Sequence, residues 1–308
     1  MNPIELSFEF FPPKTQEGID KLRATRAELV SLKPKFVSVT FGAGGSTQQG
    51  TLDTVVDMAK EGLEAAPHLS CIGSSKDSLR AILNEYRAYG IRHIVALRGD
   101  LPSGMGAVGE LRYASELVSF IRAEFGDWFW IEVAGYPEYH PQSRSPRHDL
   151  ENFARKVKAG ANSAITQYFF NADAYFRFVD DARQLGVDVP IVPGIMPITN
   201  FSQLMRFSEM CGAEVPRWIA RRLESFGDDR ESIRAFGLDV VTALCQRLVD
   251  AKVPGLHFYT LNAARVDQGD LRTARRVIAM PARLQRPRGP RQSGMGRKFV
   301  PNSVVSPC

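Results

Sequence analysis

The chain has little cysteine, no long apolar run, and one region without any acidic residue. Its four cysteines, Cys71, Cys211, Cys245 and Cys308, lie far apart, with no CxxC pair and no zinc-ligand spacing. That excludes a disulfide framework and a structural zinc site, and it suits thiols in a reducing compartment. No stretch of eighteen apolar residues occurs, so no membrane-spanning helix is expected. The start, MNPIELSFEF, has neither a basic segment nor an apolar core of the secretory kind, so a cytoplasmic protein is expected. Acid is missing from residues 283–308, which carry Arg283, Arg286, Arg288, Arg291, Arg297 and Lys298. Without them the net charge of +5 becomes −1, with 33 basic residues against 34 acidic. The basic character therefore belongs to the tail, and the body gives no ground for a nucleic-acid partner.

What is present is an alternation of short β-branched or aromatic runs with longer amphipathic segments. Strands are predicted at 4–10, 36–41, 68–72, 93–97, 129–134, 163–169, 190–192 and 256–259. Helices are predicted near 16–32, 48–65, 77–89, 110–125, 147–159, 172–185, 200–211, 216–224, 229–251 and 262–279. Eight strand–helix units argue for a (β/α)8 TIM barrel with extra helices before the eighth strand. The barrel domain is expected over 1–282. Residues 283–308, rich in Pro, Gly, Arg and Ser, are expected to form a disordered tail.

Chemistry in such a barrel collects at the C-terminal ends of the strands. The first strand runs into SFEFFPPK, residues 7–14, where Leu6, Phe8 and Phe10 alternate with Glu5, Ser7 and Glu9 and two prolines stop the strand. Glu9 is thus a carboxylate at a strand end beside aromatic residues. It is either a proton donor with a raised pKa or an edge residue paired with an arginine. The second strand ends VTFGAGGST, residues 39–47, a hydroxyl and a glycine-rich turn that serves either a ligand or only a helix cap. The third strand is expected to begin at His68, a lone histidine of the kind more often structural than catalytic. The fourth ends Arg98-Gly99-Asp100, suited either to a planar polar ring or to a simple Arg–Asp turn.

Residues 104–109 spell GxGxxG, but they do not directly follow a strand. The acid expected about 20 residues on would be Glu132, inside a strand, so a dinucleotide fingerprint is discounted. The fifth strand ends AGYPEYHP, residues 134–141. On the helix that follows, Asp149, Asn152 and Lys156 share a face. Arg155 and Lys156 are candidates to neutralise a pyrophosphate and Asp149 to hold ribose hydroxyls; the alternative is a solvated helix face. Gln167 lies among aromatics on the sixth strand, and Gln203 and Phe207 share a face of the helix after the seventh.

Together SFEFFPPK, VTFGAGGST, LRGD, AGYPEYHP, KAGANSAITQYFF, PGIMPI and LHFYTLN resemble the methylenetetrahydrofolate reductase family, in order, over roughly residues 3–265. The resemblance implies a (β/α)8 barrel that binds FAD, takes a hydride from NADH or NADPH, and passes it to methylenetetrahydrofolate to give methyltetrahydrofolate for methionine synthesis. It implies catalytic roles for Glu9, Asp100 and Gln167, with Glu9 the acid that protonates the folate so that its five-membered ring opens. It implies cofactor contacts at Thr40, Phe41, Ala43, His68, Arg98, Gly99, Asp100, Tyr113, Ala114, Tyr136, His140, Asp149, Asn152, Arg155 and Lys156. Substrate contacts are implied at Glu9, Gln167, Gln203, Phe207 and Tyr259. The implied partner is a small folate, and the implied assembly a homo-oligomer, dimer or tetramer. One position departs from the pattern: Ala263 stands where the family commonly has an arginine facing the folate's glutamate carboxylates. The alternatives are a flavin-free nicotinamide dehydrogenase, or an inactive barrel that binds partners through its basic tail.

Overall fold

The computed structural model describes residues 4–41, 48–100 and 109–260. Eight parallel strands close into a barrel in chain order. They are β1 (Glu5–Phe10), β2 (Phe36–Val39), β3 (Ala65–Ser70), β4 (His93–Leu97), β5 (Trp130–Gly135), β6 (Ser163–Tyr168), β7 (Ile191–Ile195) and β8 (Gly255–Tyr259). Six helices return the chain between consecutive strands: α1 (Gln16–Val30), α2 (Gln48–Lys60), α3 (Lys76–Ala88), α4 (Ala114–Phe125), α5 (Pro146–Lys158) and α6 (Ala172–Gln184). Three more, α7 (Phe201–Cys211), α8 (Arg217–Glu224) and α9 (Arg230–Asp250), separate β7 from β8. The expected barrel with extra helices before the last strand is thus observed. The helix expected near 262–279 and the tail 283–308 lie outside the described residues.

The strand period of two decides what faces where. Leu6, Phe8 and Phe10 of β1, with Val37 and Val39 of β2, pack into the large apolar layer between barrel and helices. The opposite parity points into the barrel, where Phe36, Ala66, Val95 and Ile165 form a separate small cluster. The rest of the interior is polar. Ser7, Ser38, His68, His93, Glu132, Ser163 and His257 are all buried. Side-chain caps start the helices where the sequence turns: Thr15, Ser75, Ser145, Asn171, Asn200 and Asp229 each accept an amide of the first turn.

Two strands differ most from expectation. β3 starts at Ala65, not His68, with Ala65, Ala66 and Pro67 paired to Val37, Ser38 and Val39. Pro67 reads locally as a break, but barrel closure overrides that preference. His68 therefore sits mid-strand, inside the barrel. β7 runs on to Ile195 through Pro193 and Gly194, and Gly194 pairs with both Tyr168 and His257. A Cβ at Gly194 would lie 2.1 Å from the Thr166 carbonyl oxygen, so only glycine fits there. The inserted helices support the barrel mouth. At Gly237 of α9 a Cβ would fall 2.3 Å from the carbonyl oxygen of Ile198, so α9 lies directly against the β7–α7 connection.

Candidate active site

The centre of the site is Glu9, third residue of the inward parity of β1. Its side chain is 12% exposed, and its Oε2 faces two imidazoles, His68 Nε2 at 3.3 Å and His257 Nε2 at 3.7 Å. Both nitrogens are buried, and among the described residues neither completes a hydrogen bond of full geometry. His257 is fixed from its other nitrogen, where Nδ1 and the Ser7 hydroxyl are 2.8 Å apart. Register places this set together, because Ser7 pairs with His257 and Glu9 with Tyr259 across the β1–β8 seam.

The expected raised pKa of Glu9 is not what the structure gives. Burial pushes the carboxyl up, but the facing imidazoles of His68 and His257 outweigh it and hold the pKa at about 2, below the usual 4.5. The reason lies in strand parity. Phe8 and Phe10 point outward to the helices, so the surroundings of Glu9 are imidazole and hydroxyl rather than aromatic carbon. Among the described residues no arginine pairs with Glu9.

Around Glu9 the mouth is built from the other strand ends. Thr40 follows β2; its amide donates to the Phe10 carbonyl at 2.9 Å, and its buried Oγ1 has no partner among the described residues. Phe41 is half-buried beside it. On β6, Gln167 is half-buried and its Oε1 accepts the Tyr168 amide at 3.0 Å. Gln167 and Tyr168 line a shallow recess with Tyr136, Glu138 and Cys211. Tyr259 ends β8. Its hydroxyl donates to the Thr166 carbonyl at 2.7 Å, and burial, with Glu9 nearby, pushes its pKa well up. The phenol is therefore a fixed neutral wall.

A second group of residues lies beyond the ends of β4 and β5. Arg98 donates to the Gly99 carbonyl and to Gln142. Gly99 has φ +83 and passes so close to Ser70 that a Cβ would lie 2.9 Å away. Asp100 is exposed. The Tyr136 ring meets the His140 ring edge-on at 4.7 Å, and the His140 amide donates to Asp149 Oδ2 at 3.1 Å. His140 feels Asp149, Arg98, Lys156 and Asp100 together, and burial sets its pKa below the ordinary value. The charges of this group thus share one neighbourhood.

On α5 the neighbours Arg155 and Lys156 have different surroundings. Arg155 is exposed and donates to Asn152 Oδ1 at 2.6 Å, while Asn152 also meets His148. Lys156 turns the other way, and its Nζ donates to the Ala134 carbonyl at the end of β5. Burial lowers its pKa to about 8, with Asp149 opposing. Adjacent helix positions point about 100° apart, which separates the two side chains. Tyr113 is exposed and caps α4, and Ala114 is the first residue of that helix. Gln203 and Phe207 line a separate shallow recess with Met196, Pro197, Thr199 and Leu204. Ala43 and most of the GxGxxG segment lie outside the described residues.

Glu132, the acid weighed with that glycine segment, has no access to a ligand. It is 3% exposed, near the opposite end of the barrel, held by His93 Nε2 at 3.1 Å and Trp130 Nε1 at 3.0 Å. Sequence reasoning gave no role to Ser7 or His257. Parity held the signal: Ser7 precedes Glu9, and His257 precedes Tyr259, by two residues each, so each faces the same interior.

The mouth has the chemistry for an elongated cofactor with a planar head and a charged linker. It combines an unpartnered buried hydroxyl at Thr40, a close-approach glycine at Gly99, an inward-turned amine at Lys156 and a carboxylate at Asp149. Among the described residues no group of His, Cys, Asp and Glu is arranged to hold a metal ion, and no helix is long and apolar enough to cross a membrane.

Comparison with known proteins agrees with this geometry. Residues 2–269 match the family model described as methylenetetrahydrofolate reductase. The chain is 46% identical over 264 residues to 5,10-methylenetetrahydrofolate reductase of Escherichia coli, covering 85% of this chain and 88% of that one. It is 38% identical over 270 residues to methylenetetrahydrofolate reductase (NADH) 1 of Arabidopsis thaliana, covering 83% of this chain but 46% of the longer plant protein. Among solved structures, a Clostridium thermocellum protein that binds two copies of 5-methyl-5,6,7,8-tetrahydrofolic acid shares the fold. Its TM-score is 0.64 at 15% identity, over 90% of this chain and 96% of that one.

Proposed function

The chain belongs to the methylenetetrahydrofolate reductase family, and from that premise we propose that it is an FAD-dependent enzyme reducing 5,10-methylenetetrahydrofolate to 5-methyltetrahydrofolate with NADH or NADPH. The observation that carries the reading is the Glu9 carboxylate set between two imidazoles at the C-terminal end of a barrel strand. Bound FAD would accept a hydride from the nicotinamide and return it to the one-carbon unit of the folate. Thr40, Arg98, Gly99, Tyr136, His140, Asp149 and Lys156 are the residues that would hold it.

The protein's own part in the reaction is proton handling and positioning. Ring opening of the folate needs a proton on the leaving amine. In the unliganded chain Glu9 is ionised, so it must take up a proton before it can give one to the folate. Glu9 is the member of the set at the mouth, and it passes the proton outward. Ser7 keeps His257 oriented by occupying its Nδ1. Gln167, with its Oε1 tied to the Tyr168 amide, presents its NH2 as a donor to the substrate. Tyr259, anchored on Thr166, closes the wall opposite. Asp100 supplies negative charge where reduced flavin would gather it, which favours hydride donation.

The test is a pair of anaerobic half-reactions. Purified protein should carry flavin absorbance and bleach with NADH or NADPH. The bleached protein should regain colour with methylenetetrahydrofolate and yield methyltetrahydrofolate. A colourless protein, or one whose reduced form ignores the folate, defeats the reading.

A further inference from the structure

The register between β6 and β7 shifts by one residue just before Gln167 reaches the mouth. Ile165 pairs with Val192 and Tyr168 with Gly194, so Thr166 and Gln167 together lie opposite Pro193. We infer that Thr166 is the positioning residue for Gln167: its hydroxyl pins this bulge, and the pinned bulge aims the Gln167 carboxamide at the folate. This rests on the functional reading above, in which Gln167 donates to the substrate, and it gives Thr166 a part in one half-reaction only.

Three observations carry it. First, β7 has the residues that a bulge on its neighbour needs. Pro193 has no amide to donate, so the ladder is interrupted from that side. Gly194 has no side chain, and a Cβ there would lie 2.1 Å from the Thr166 carbonyl oxygen and 2.7 Å from the Tyr259 ring. Second, Thr166 ties the bulge to both following strands. Its hydroxyl accepts the Gly194 amide of β7 at 3.0 Å. Its carbonyl accepts the Tyr259 hydroxyl, which reaches from β8 across Gly194, at 2.7 Å. Third, the amide that closes the bulge, that of Tyr168, donates to Gln167 Oε1 at 3.0 Å. The direction of the carboxamide therefore follows the backbone path through 166–168. Tyr168 is held at its far end too, with its hydroxyl 3.0 Å from Ser208 Oγ. Thr166 has no exposed surface, so it meets no ligand itself and acts only through its neighbours. Valine keeps its shape but offers the Gly194 amide no acceptor, which frees the bulge to shift.

The test uses the flavin-loaded full chain and follows the two anaerobic half-reactions separately. The proteins are wild type, Thr166→Val, Thr166→Ser, Gln167→Ala and the double variant Thr166→Val with Gln167→Ala. A small misplacement of a substrate-positioning group costs up to about 100-fold, so Thr166→Val should slow reoxidation by methylenetetrahydrofolate roughly 10- to 100-fold. Reduction by NADH should change far less. Thr166→Ser keeps the acceptor and should recover most of the rate. With Gln167→Ala already in place, Thr166→Val should slow reoxidation no further, because its effect passes through Gln167. If the valine variant does not retain flavin, Thr166→Cys, of similar size and with only a weak acceptor, replaces it in every comparison and should show the same pattern with a smaller loss. Equal losses in the two half-reactions overturn the proposal. So does an undiminished loss in the Gln167→Ala background, or a serine variant as slow as the valine one. A wild type whose reduced flavin ignores the folate removes the functional reading and this proposal with it. A working wild type beside an equally fast Thr166→Val removes this proposal alone.

Discussion

Replacing Glu9 with glutamine tests both halves of the account, because it keeps the shape and removes the charge and the proton. The imidazoles hold the Glu9 pKa at about 2 instead of 4.5. That difference corresponds to about 3 kcal/mol of preference for the ionised form in the folded chain, an upper value for what glutamine gives up at neutral pH. In a domain of this size the loss lowers Tm by roughly 6–12 °C. The sign with pH follows from the direction of the change. A depressed carboxyl contributes its full stability above the unfolded value of 4.5 and loses it as pH falls toward about 2. The gap between wild type and Glu9→Gln should therefore be constant from pH 7 to about pH 5 and narrow below that. Denaturant melts at several pH values read it. The chemistry should split as well. Flavin reduction by NADH should persist in the folded variant, while reoxidation by methylenetetrahydrofolate should fall by about 100-fold or more, since glutamine has no proton to give. A variant as stable as wild type at pH 7 would mean that the carboxylate gains nothing from its surroundings in the folded chain. Equal damage to both half-reactions would make Glu9 a structural residue.

Three further outcomes are expected. Gly194→Ala should disrupt the barrel seam, because its Cβ would lie 2.1 Å from the Thr166 carbonyl that holds Tyr259; a loss below about 1 kcal/mol in denaturant melts would show that β7 moves aside easily. His93→Leu should cost about 3–5 kcal/mol at pH 7 by leaving the buried Glu132 carboxylate without its imidazole. In the wild type, burial works against protonation of His93, but Glu132 and Glu64 overcome it and raise its pKa above 6.5. Its contribution is therefore full below pH 6.5 and fades as pH rises through the folded value, and a stability profile flat across that window contradicts the assignment. Asp100→Asn should make bound flavin easier to reduce, since it removes negative charge near the site of developing charge; a spectroelectrochemical midpoint that stays or falls refutes that placement.

The sequence by itself determined the barrel, because alternating runs with strand and helix periods are a local property. It placed Glu9, Gln167 and Tyr259 at strand ends for the same reason, and the ordered motifs gave the family. What only the tertiary structure decided is which groups become neighbours. Glu9 and His257 are 248 positions apart in the chain. Only closure of β8 onto β1 brings imidazole to carboxylate and turns an expected weak acid into an ionised one. His68 was expected to open the third strand, but pairing of Ala65, Ala66 and Pro67 with β2 puts it mid-strand. Lys156 and Arg155 looked alike on paper, yet the helix turn sends one inward to the Ala134 carbonyl and leaves the other in solvent. In each case a periodic pattern is written within a few residues, while a pKa or an ion pair depends on distances that exist only once the barrel has closed.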